Sequence, residues 1–447
     1  MLKSPGIRVW RRLRFTLYPG NLPGSQGSAE WSMGETVAVV GSGMAGLAAA
    51  HGCRKAGFDV TLFEARPGHG MDAHAMAVQG GNVDLPLRVM SPRNWHSVLA
   101  LAAEVGVGTF PVATYASCSW TDRQTWFRSG RMPVTGWPWV GSWRYLNRRS
   151  LRLARGLWQL RRASAGLAAA DASFTLADFL QQQSFDPLFW RGLVLPLLTT
   201  ICTCDEAQLL AWPAPQLLSL LDEILHGGGL VRLQGGTSAL VAALAAAIPA
   251  YTGSPVQRLA AREEGIMVHN ARGEGGQFDR VILAVQANQL DFLEGEQFQR
   301  ERQVLDQVRF DSGELWLHRD PRFLPRRTAD WSALNFQTDP ELARVMFTVL
   351  VNAVEPTLAS AEPVLQTWNP LYEPDPETVL ARVPLQRAVV HTGTAGIHRA
   401  LAGWHAEPDR RVFYSGSWAY PGVPLLESAV RSAQAVVARV QQLQARV

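Results

Sequence analysis

Cysteine is scarce in this chain. The four present, Cys53, Cys118, Cys202 and Cys204, form no C-x-x-C pair and no zinc-finger spacing. Cys202 and Cys204 are too close in sequence to close an ordinary disulfide, so a disulfide scaffold is excluded and a reducing compartment is expected. Long apolar runs are missing too. No stretch of about 18 uncharged apolar residues occurs, and no transmembrane helix is predicted. Residues 1–33 hold no acidic side chain before Glu30 and no continuous apolar segment of the kind a signal peptide needs. They read as a basic, Gly- and Pro-bearing extension. No nucleophile-elbow serine is accompanied by His and Asp partners. None of the ten histidines forms an H-x-x-x-H pair, and His69 and His74 lack the further ligands that zinc requires, so no metal is expected. Demanding chemistry would therefore fall to a bound organic cofactor.

What the chain does have is a glycine signature in the right setting. The β-branched run Thr36-Val37-Ala38-Val39-Val40 leads into Gly41-Ser42-Gly43-Met44-Ala45-Gly46 and then into the helix start Leu47-Ala48-Ala49-Ala50. A second run, Asp59-Val60-Thr61-Leu62-Phe63, ends in Glu64, eighteen residues after Gly46. Strand, G-x-G-x-x-G, helix, strand and a terminal acid make a dinucleotide-binding βαβ unit. Gly41 permits the tight turn, Gly43 lets a pyrophosphate approach the backbone, and Gly46 lets the helix pack on the strand. The helix N-terminus offers free N–H groups and a positive dipole end. A carboxylate at Glu64 suits ribose hydroxyls and disfavours the 2′-phosphate of NADP.

The continuation Glu64-Ala65-Arg66-Pro67-Gly68-His69-Gly70 resembles the flavin-containing amine oxidase and phytoene desaturase superfamily, with Met71 where relatives carry a second glycine. Later segments resemble it as well. They are Gly235-Gly236-Thr237-Ser238 opening a helix, Val256 in a following strand, Asp279-Arg280-Val281-Ile282-Leu283-Ala284, and Arg411 to Ser417. Glu427-Ser428-Ala429-Val430-Arg431-Ser432 is similar to the family's last helix start. The resemblance implies non-covalent FAD held by Gly41, Ser42, Gly43, Ala45, Gly46, Glu64, Ala65, Arg66, Gly70, His74, Val256, Gly416, Ser417, Leu426 and Ser428. The segments around His318-Arg319-Asp320-Pro321, Trp331-Ser332 and Trp368-Asn369-Pro370-Leu371 resemble a bacterial subgroup of predicted NAD/FAD-binding, amine-oxidase-like proteins associated with fatty-acid modification. That subgroup's acid- and imidazole-bearing G-F-H-E-D-G-L is replaced here by Gly422-Val423-Pro424-Leu425-Leu426.

The expected fold class is α/β. It has a Rossmann-type FAD-binding domain, as in amine oxidases and glutathione reductase, and an interleaved mixed α+β substrate domain. The FAD domain is assigned to residues 35–90, 229–290 and 405–447, after the N-terminal extension 1–34. The substrate domain takes 91–228, read as mostly helical, and 291–404.

The net charge of +4 is modest, but residues 143–162 interleave Arg144, Arg148, Arg149, Arg152, Arg155, Arg161 and Arg162 with Trp143, Leu146, Leu153, Leu157, Trp158 and Leu160. Leu146, Leu153, Leu157 and Leu160 share one helical face. The stretch suits either a bilayer surface or a core-facing stripe with a solvated basic face. Nucleic acid is disfavoured because no binding module accompanies the charge. The expected protein is cytoplasmic, with a peripheral membrane contact under the first of those readings. Its expected function is an FAD-dependent oxidoreductase desaturating or otherwise oxidising a hydrophobic, lipid or fatty-acyl substrate. A lipid isomerase or dehydroxylase, an amine oxidase and a non-catalytic binding protein are the alternatives. Arg88, His74, Trp418 and Tyr420 are candidate pocket residues, and the catalytic acid and base are not assigned.

Overall fold

The computed structural model describes residues 34–70, 75–131, 138–165, 167, 173–226, 229–293, 295–358 and 362–445. The N-terminal extension, Met71 and His74 lie outside the described residues. Among these, a sheet of five parallel strands runs in the order Ala250–Tyr251, Asp59–Phe63, Thr36–Val40, Arg280–Leu283, Val412–Tyr414. Its central strands are apolar on both faces because both faces are covered. Val37 and Val39 point into a layer formed by helices Met44–Lys55, His96–Glu104, Gly236–Ala245 and Leu426–Gln444. Ala38 and Val40 point the other way, into the antiparallel meander Val256–Arg262, Gly265–Asn270, Gly275–Phe278. Fully burying a valine of this kind contributes roughly 1.5–3 kcal/mol. The strand start is pinned by Asp279, whose Oδ2 accepts hydrogen bonds from the Thr36 N–H and hydroxyl, both at 2.7 Å.

Helices Gln299–Leu305 and Thr394–His405 also pack on this sheet. The expected boundaries gave both to the substrate domain. Ile397, Leu401 and Trp404, one turn apart, form an apolar face that meets Val412 and Tyr414, and that spacing outweighs their place in the chain.

The second sheet has eight strands in the order Val379–Val389, Arg309–His318, Leu365–Trp368, Val345–Leu350, Leu334–Thr338, Ala116–Trp120, Thr125–Arg131, Pro138–Val140. It is antiparallel except where Leu334–Thr338 lies parallel to Ala116–Trp120. The last three strands limit the expectation that residues 91–228 are mostly helical, which holds for the elements from Trp143 to His226. Polar alternation in Ala116-Ser-Cys-Ser-Trp hides a strand whose serines are buried between neighbours. The turn is made by Arg123, at φ +70°, whose N–H bonds to the Trp120 carbonyl. A helical layer, Arg148–Ser164 through Ala214–His226, covers one face of this sheet.

The other face carries the segments similar to the bacterial subgroup, and they form a closed polar core. His318 is fully buried; its Nε2 lies 3.0 Å from Thr367 Oγ1, and its Nδ1 accepts the Asp320 N–H. Thr367 pairs onward with Thr348 at 2.8 Å. Asp320 accepts bonds from the Arg322 guanidinium and the Asp375 N–H. An Nδ1 acceptor means a neutral imidazole, and burial pushes the His318 pKa down to about 4. His405 accepts the Tyr414 N–H on Nε2. Burial, with Arg410 and Arg439 nearby, likewise holds it at about 4.

Because the folded state refuses protons that the unfolded chain accepts near pH 6.5, both histidines contribute stability above about pH 6.5 that is lost as pH falls towards 4. The thermal midpoint should therefore drop across that interval. His405→Gln, which keeps an acceptor for Tyr414, should make the drop shallower. An unchanged pH profile in the variant would remove His405 from the account.

Candidate dinucleotide site

The first strand ends at Val40, and the chain turns at Gly41, where φ is +97° and a side chain would strike the Ala284 carbonyl at 2.7 Å. The helix then starts so close to the turn that a Cβ at Gly46 would lie 1.8 Å from the Gly41 oxygen. Gly43 differs from both. It is the N-cap at φ −65° with no side-chain cap, and a Cβ placed there meets nothing within 4 Å. The space above Gly43 is therefore open, and the first helical N–H groups, including that of Ala45, have no intrahelical partner. No acidic residue occupies the first turn. An uncapped helix start with an open approach fits a pyrophosphate.

Glu64 holds this loop together. It is 8% exposed; its Oε2 accepts the Ser42 N–H at 2.8 Å and the Ser42 hydroxyl at 2.5 Å, and its Oε1 accepts the Arg66 N–H at 2.9 Å. The Ser42 hydroxyl in turn accepts the Gly70 N–H at 2.8 Å. A carboxylate has about four lone-pair positions. Three are used internally, which leaves one on Oε1 for a ribose hydroxyl. Gly70 is pulled over the loop, and a Cβ there would sit 3.3 Å from the Gly43 nitrogen. Ala65 and Arg66 continue the same segment, whose carbonyls at Glu64 and Arg66 bond to the N–H groups of Ser254 and Gly253. Val256, buried, follows directly. Among the described residues, two polar atoms here, Ser254 Oγ and His69 Nδ1, are buried without a hydrogen-bond partner, and sequence reasoning assigned neither to this site. Nothing in their spacing marks them, since only the fold brings residue 254 beside Glu64.

The remaining expected contacts come from the C-terminal end of the sheet. Gly416 follows the last strand, and its N–H bonds to Ser432 Oγ at 3.2 Å. A side chain at Gly416 would meet the Trp418 indole at 2.7 Å. Ser417 is half-buried beside it. Leu426 opens the last helix, and the Ser428 hydroxyl ties back to the Val423 carbonyl at 2.7 Å. Glu427 is turned elsewhere. Its carboxylate accepts the N–H groups of Ser97 and Val98, capping the helix His96–Glu104.

Trp418 does not present a free ring to a cofactor. It is a core residue, 5% exposed, with its indole N–H bonded to the Val285 carbonyl at 3.0 Å. Tyr420 is half-buried under the Arg431 guanidinium, 4.8 Å from the ring centre.

Arg88 extends into the protein after the strand Gly81–Asp84. Its guanidinium donates to the Pro86 carbonyl at 3.2 Å. Burial lowers its pKa, opposed by the charge of Asp84. Asp84 itself caps the Gly-Gly helix start, accepting the Thr237 N–H at 2.9 Å and hydroxyl. Arg387, on the edge strand of the second sheet, donates to the Ile201 carbonyl. Burial holds its pKa at about 10, the Arg88 charge acts the same way, and the Cys202 and Cys204 thiols oppose it. Both side chains are half-buried, and each guanidinium is bonded to a backbone carbonyl. Among the described residues neither forms a carboxylate salt bridge.

Two expectations follow for cofactor retention. Gly43→Asp should fold, because its backbone is unstrained and its side chain has room, yet purify without flavin, because the carboxylate would occupy the pyrophosphate path. Gly46→Ala should instead lower the thermal midpoint of the protein. A Gly43→Asp variant with full flavin absorbance would refute the assignment of the loop. Glu64→Ala should weaken FAD by roughly 1–3 kcal/mol. Ser42→Ala should weaken it less, since the Glu64 bonds to backbone N–H groups survive. Titration of the apo-protein measures both.

The sequence model of the flavin containing amine oxidoreductases matches residues 44–356. A curated relative is the tRNA 5-methylaminomethyl-2-thiouridine biosynthesis bifunctional protein MnmC of Magnetococcus marinus, 29% identical over 256 residues, covering 56% of this chain and 30% of that protein. The chain thus spans under a third of that relative's length. Among solved structures, cyclohexylamine oxidase from Brevibacterium oxydans is similar, with a TM-score of 0.66 and 15% identity over 92% of this chain and 100% of the other. Putrescine oxidase bound to putrescine has a TM-score of 0.63 and 17% identity over 91% and 98%. The CLA-producing fatty acid isomerase from P. acnes has a TM-score of 0.61 and 15% identity over 91% and 99%. With a parallel sheet ending in an open glycine loop and a family match over most of its length, the chain belongs to the flavin containing amine oxidoreductases and is an FAD-dependent oxidoreductase.

Proposed function

We propose that this enzyme oxidises a hydrophobic substrate bearing a carboxylate, of the lipid or fatty-acyl class, by desaturation or a related C–H oxidation. The observation that supports this most strongly is that the guanidiniums of Arg88 and Arg387, bonded to the Pro86 and Ile201 carbonyls, form no carboxylate salt bridge among the described residues. A guanidinium with no carboxylate partner repels a protonated amine and favours an anion. The neighbouring surface is apolar. Val423, in the loop that leads to the last helix, packs against the cluster that joins Leu193, Ile201, Leu334 and Phe347. The segment Gly422-Val423-Pro424-Leu425-Leu426 replaces the acid- and imidazole-bearing segment of the bacterial subgroup. A wall of this kind holds an acyl chain and excludes water from the oxidised carbons.

FAD, non-covalently bound at the glycine loop, supplies the two-electron oxidation. The residues of this chain fix the carboxylate at Arg88 and Arg387 and align the chain along the apolar wall. An amine substrate would need the opposite charge in this region.

The test is anaerobic bleaching of the flavin absorbance by a panel of long-chain fatty acids and of mono- and diamines. Fatty acids should bleach it and amines should not. Bleaching by amines alone would overturn the reading. Arg387→Met should raise KM for a carboxylate substrate roughly ten- to a hundredfold, as expected for a lost charge-assisted hydrogen bond. The corresponding methyl ester should be affected far less.

A further inference from the structure

Five of the six large apolar side chains that are most exposed among the described residues fall in one short stretch: Trp139, Trp143 (78%), Leu146, Leu151 and Trp158 (62%). They surround the helix Arg148–Ser164, which contains six arginines and no acidic residue. The leucines expected to share one face do not all do so. Leu146 lies outside the helix and is exposed, whereas Leu153, Gly156 and Leu160 form the buried face. Gly156 is needed there, because a Cβ would meet the Phe189 ring at 2.3 Å.

The opposite face is a separate feature. Leu151, Arg155, Trp158 and Arg162 stand four, three and four residues apart, which confines them to about 60° of the helix circumference. All four are exposed. Arg162 lies over the Trp158 ring at 5.5 Å. Arg152 is paired with Asp186, but among the described residues Arg144, Arg148, Arg155 and Arg161 have no carboxylate partner.

Local stability does not account for this arrangement. Arg148 and Arg149 occupy the first turn, where the helix dipole disfavours cations. Trp143, Leu151 and Trp158 each leave a large apolar area in water. Tryptophan and arginine are the residues that sit well at the boundary of a bilayer: the indole enters the headgroup region, and the guanidinium binds lipid phosphate.

We infer that this face, from Trp139 through Arg162, docks the protein on an anionic lipid surface. The tryptophans and leucines insert at the headgroup level, and Arg148, Arg155, Arg161 and Arg162 bind the phosphates. The inference does not rest on the substrate reading, which concerns interior residues.

Co-sedimentation of the full holoprotein with phosphatidylcholine vesicles, with and without phosphatidylglycerol, tests it. Binding is expected only with phosphatidylglycerol and should weaken with added salt. Replacing Arg148, Arg155, Arg161 and Arg162 together by Gln should lower partitioning more than about tenfold. The pair Trp143→Ser and Trp158→Ser should lower the residual binding at high salt. Neither set touches the glycine loop, so flavin absorbance and turnover of a detergent-dispersed substrate should be unchanged, which also checks folding. Wild type remaining in the supernatant with both vesicles would overturn the proposal. So would equal sedimentation of wild type and both variants, or binding of a labelled RNA that phosphatidylglycerol vesicles do not displace.

Discussion

The hydrogen bonds between Glu64 and the backbone of the glycine loop are the constraint on which the dinucleotide site depends. One carboxylate joins the end of the second strand to the turn after the first and to the segment that follows Glu64. Without it, the N–H of Ser42 and the hydroxyl that holds Gly70 would lose their orientation together. An acid at this position is usually read as a ligand for ribose. Here it is first a brace, and the lone pair that remains can meet a ribose only because the other three are already satisfied. Recognition and rigidity come from the same group, so the loop is organised before a ligand arrives and little ordering entropy is left to oppose binding.

The first sheet and the glycine loop were legible because their physics is local. Val37, Val39 and Gly41 to Gly46 act within one strand-turn-helix unit, and their spacing carries the geometry. The second sheet was not legible in the same way. Ser117 and Ser119 are buried by partners more than two hundred residues distant, so the alternation that usually marks a strand is polar on the wrong side. Arg387 was missed for a similar reason: on an edge strand with alternating exposure, it looks like an ordinary surface arginine until the fold lays it on the Ile201 carbonyl. Ser254 had no sequence signal at all. Trp418 shows the converse error, since an aromatic residue two positions after Gly416 suggests a ring partner, but the indole N–H needed an acceptor and found it in Val285.

The subgroup-like segments illustrate how resemblance and chemistry can part company. His318 and Asp320 belong to a segment that resembles the bacterial subgroup, and Tyr372 follows Leu371 of another. In the structure His318 and Asp320 are buried against the second sheet and Tyr372 is half-buried, with His318 bonded to Thr367, Asp320 to Arg322, and the Tyr372 hydroxyl to Gln337. Their role is to join the loops over that face. The opposite side of the sheet is the one that faces the helical layer, where Arg387 bonds to the Ile201 carbonyl.

The interleaving of the two sheets bears on how the protein is made. Ser119 bonds to Phe336, 217 residues further along the chain, and the parallel sheet is completed only by Val412–Tyr414. During synthesis neither sheet can close early: the glycine loop precedes by more than two hundred residues the strand Arg280–Leu283 that pairs beside it, and the edge strand and the helix Leu426–Gln444 come later still. Topology of this kind folds slowly and leaves strand edges uncovered in the meantime. The sheet that carries the glycine loop is therefore complete only once residues 412–414 are in place, and any ligand that binds the folded chain favours that last step by mass action.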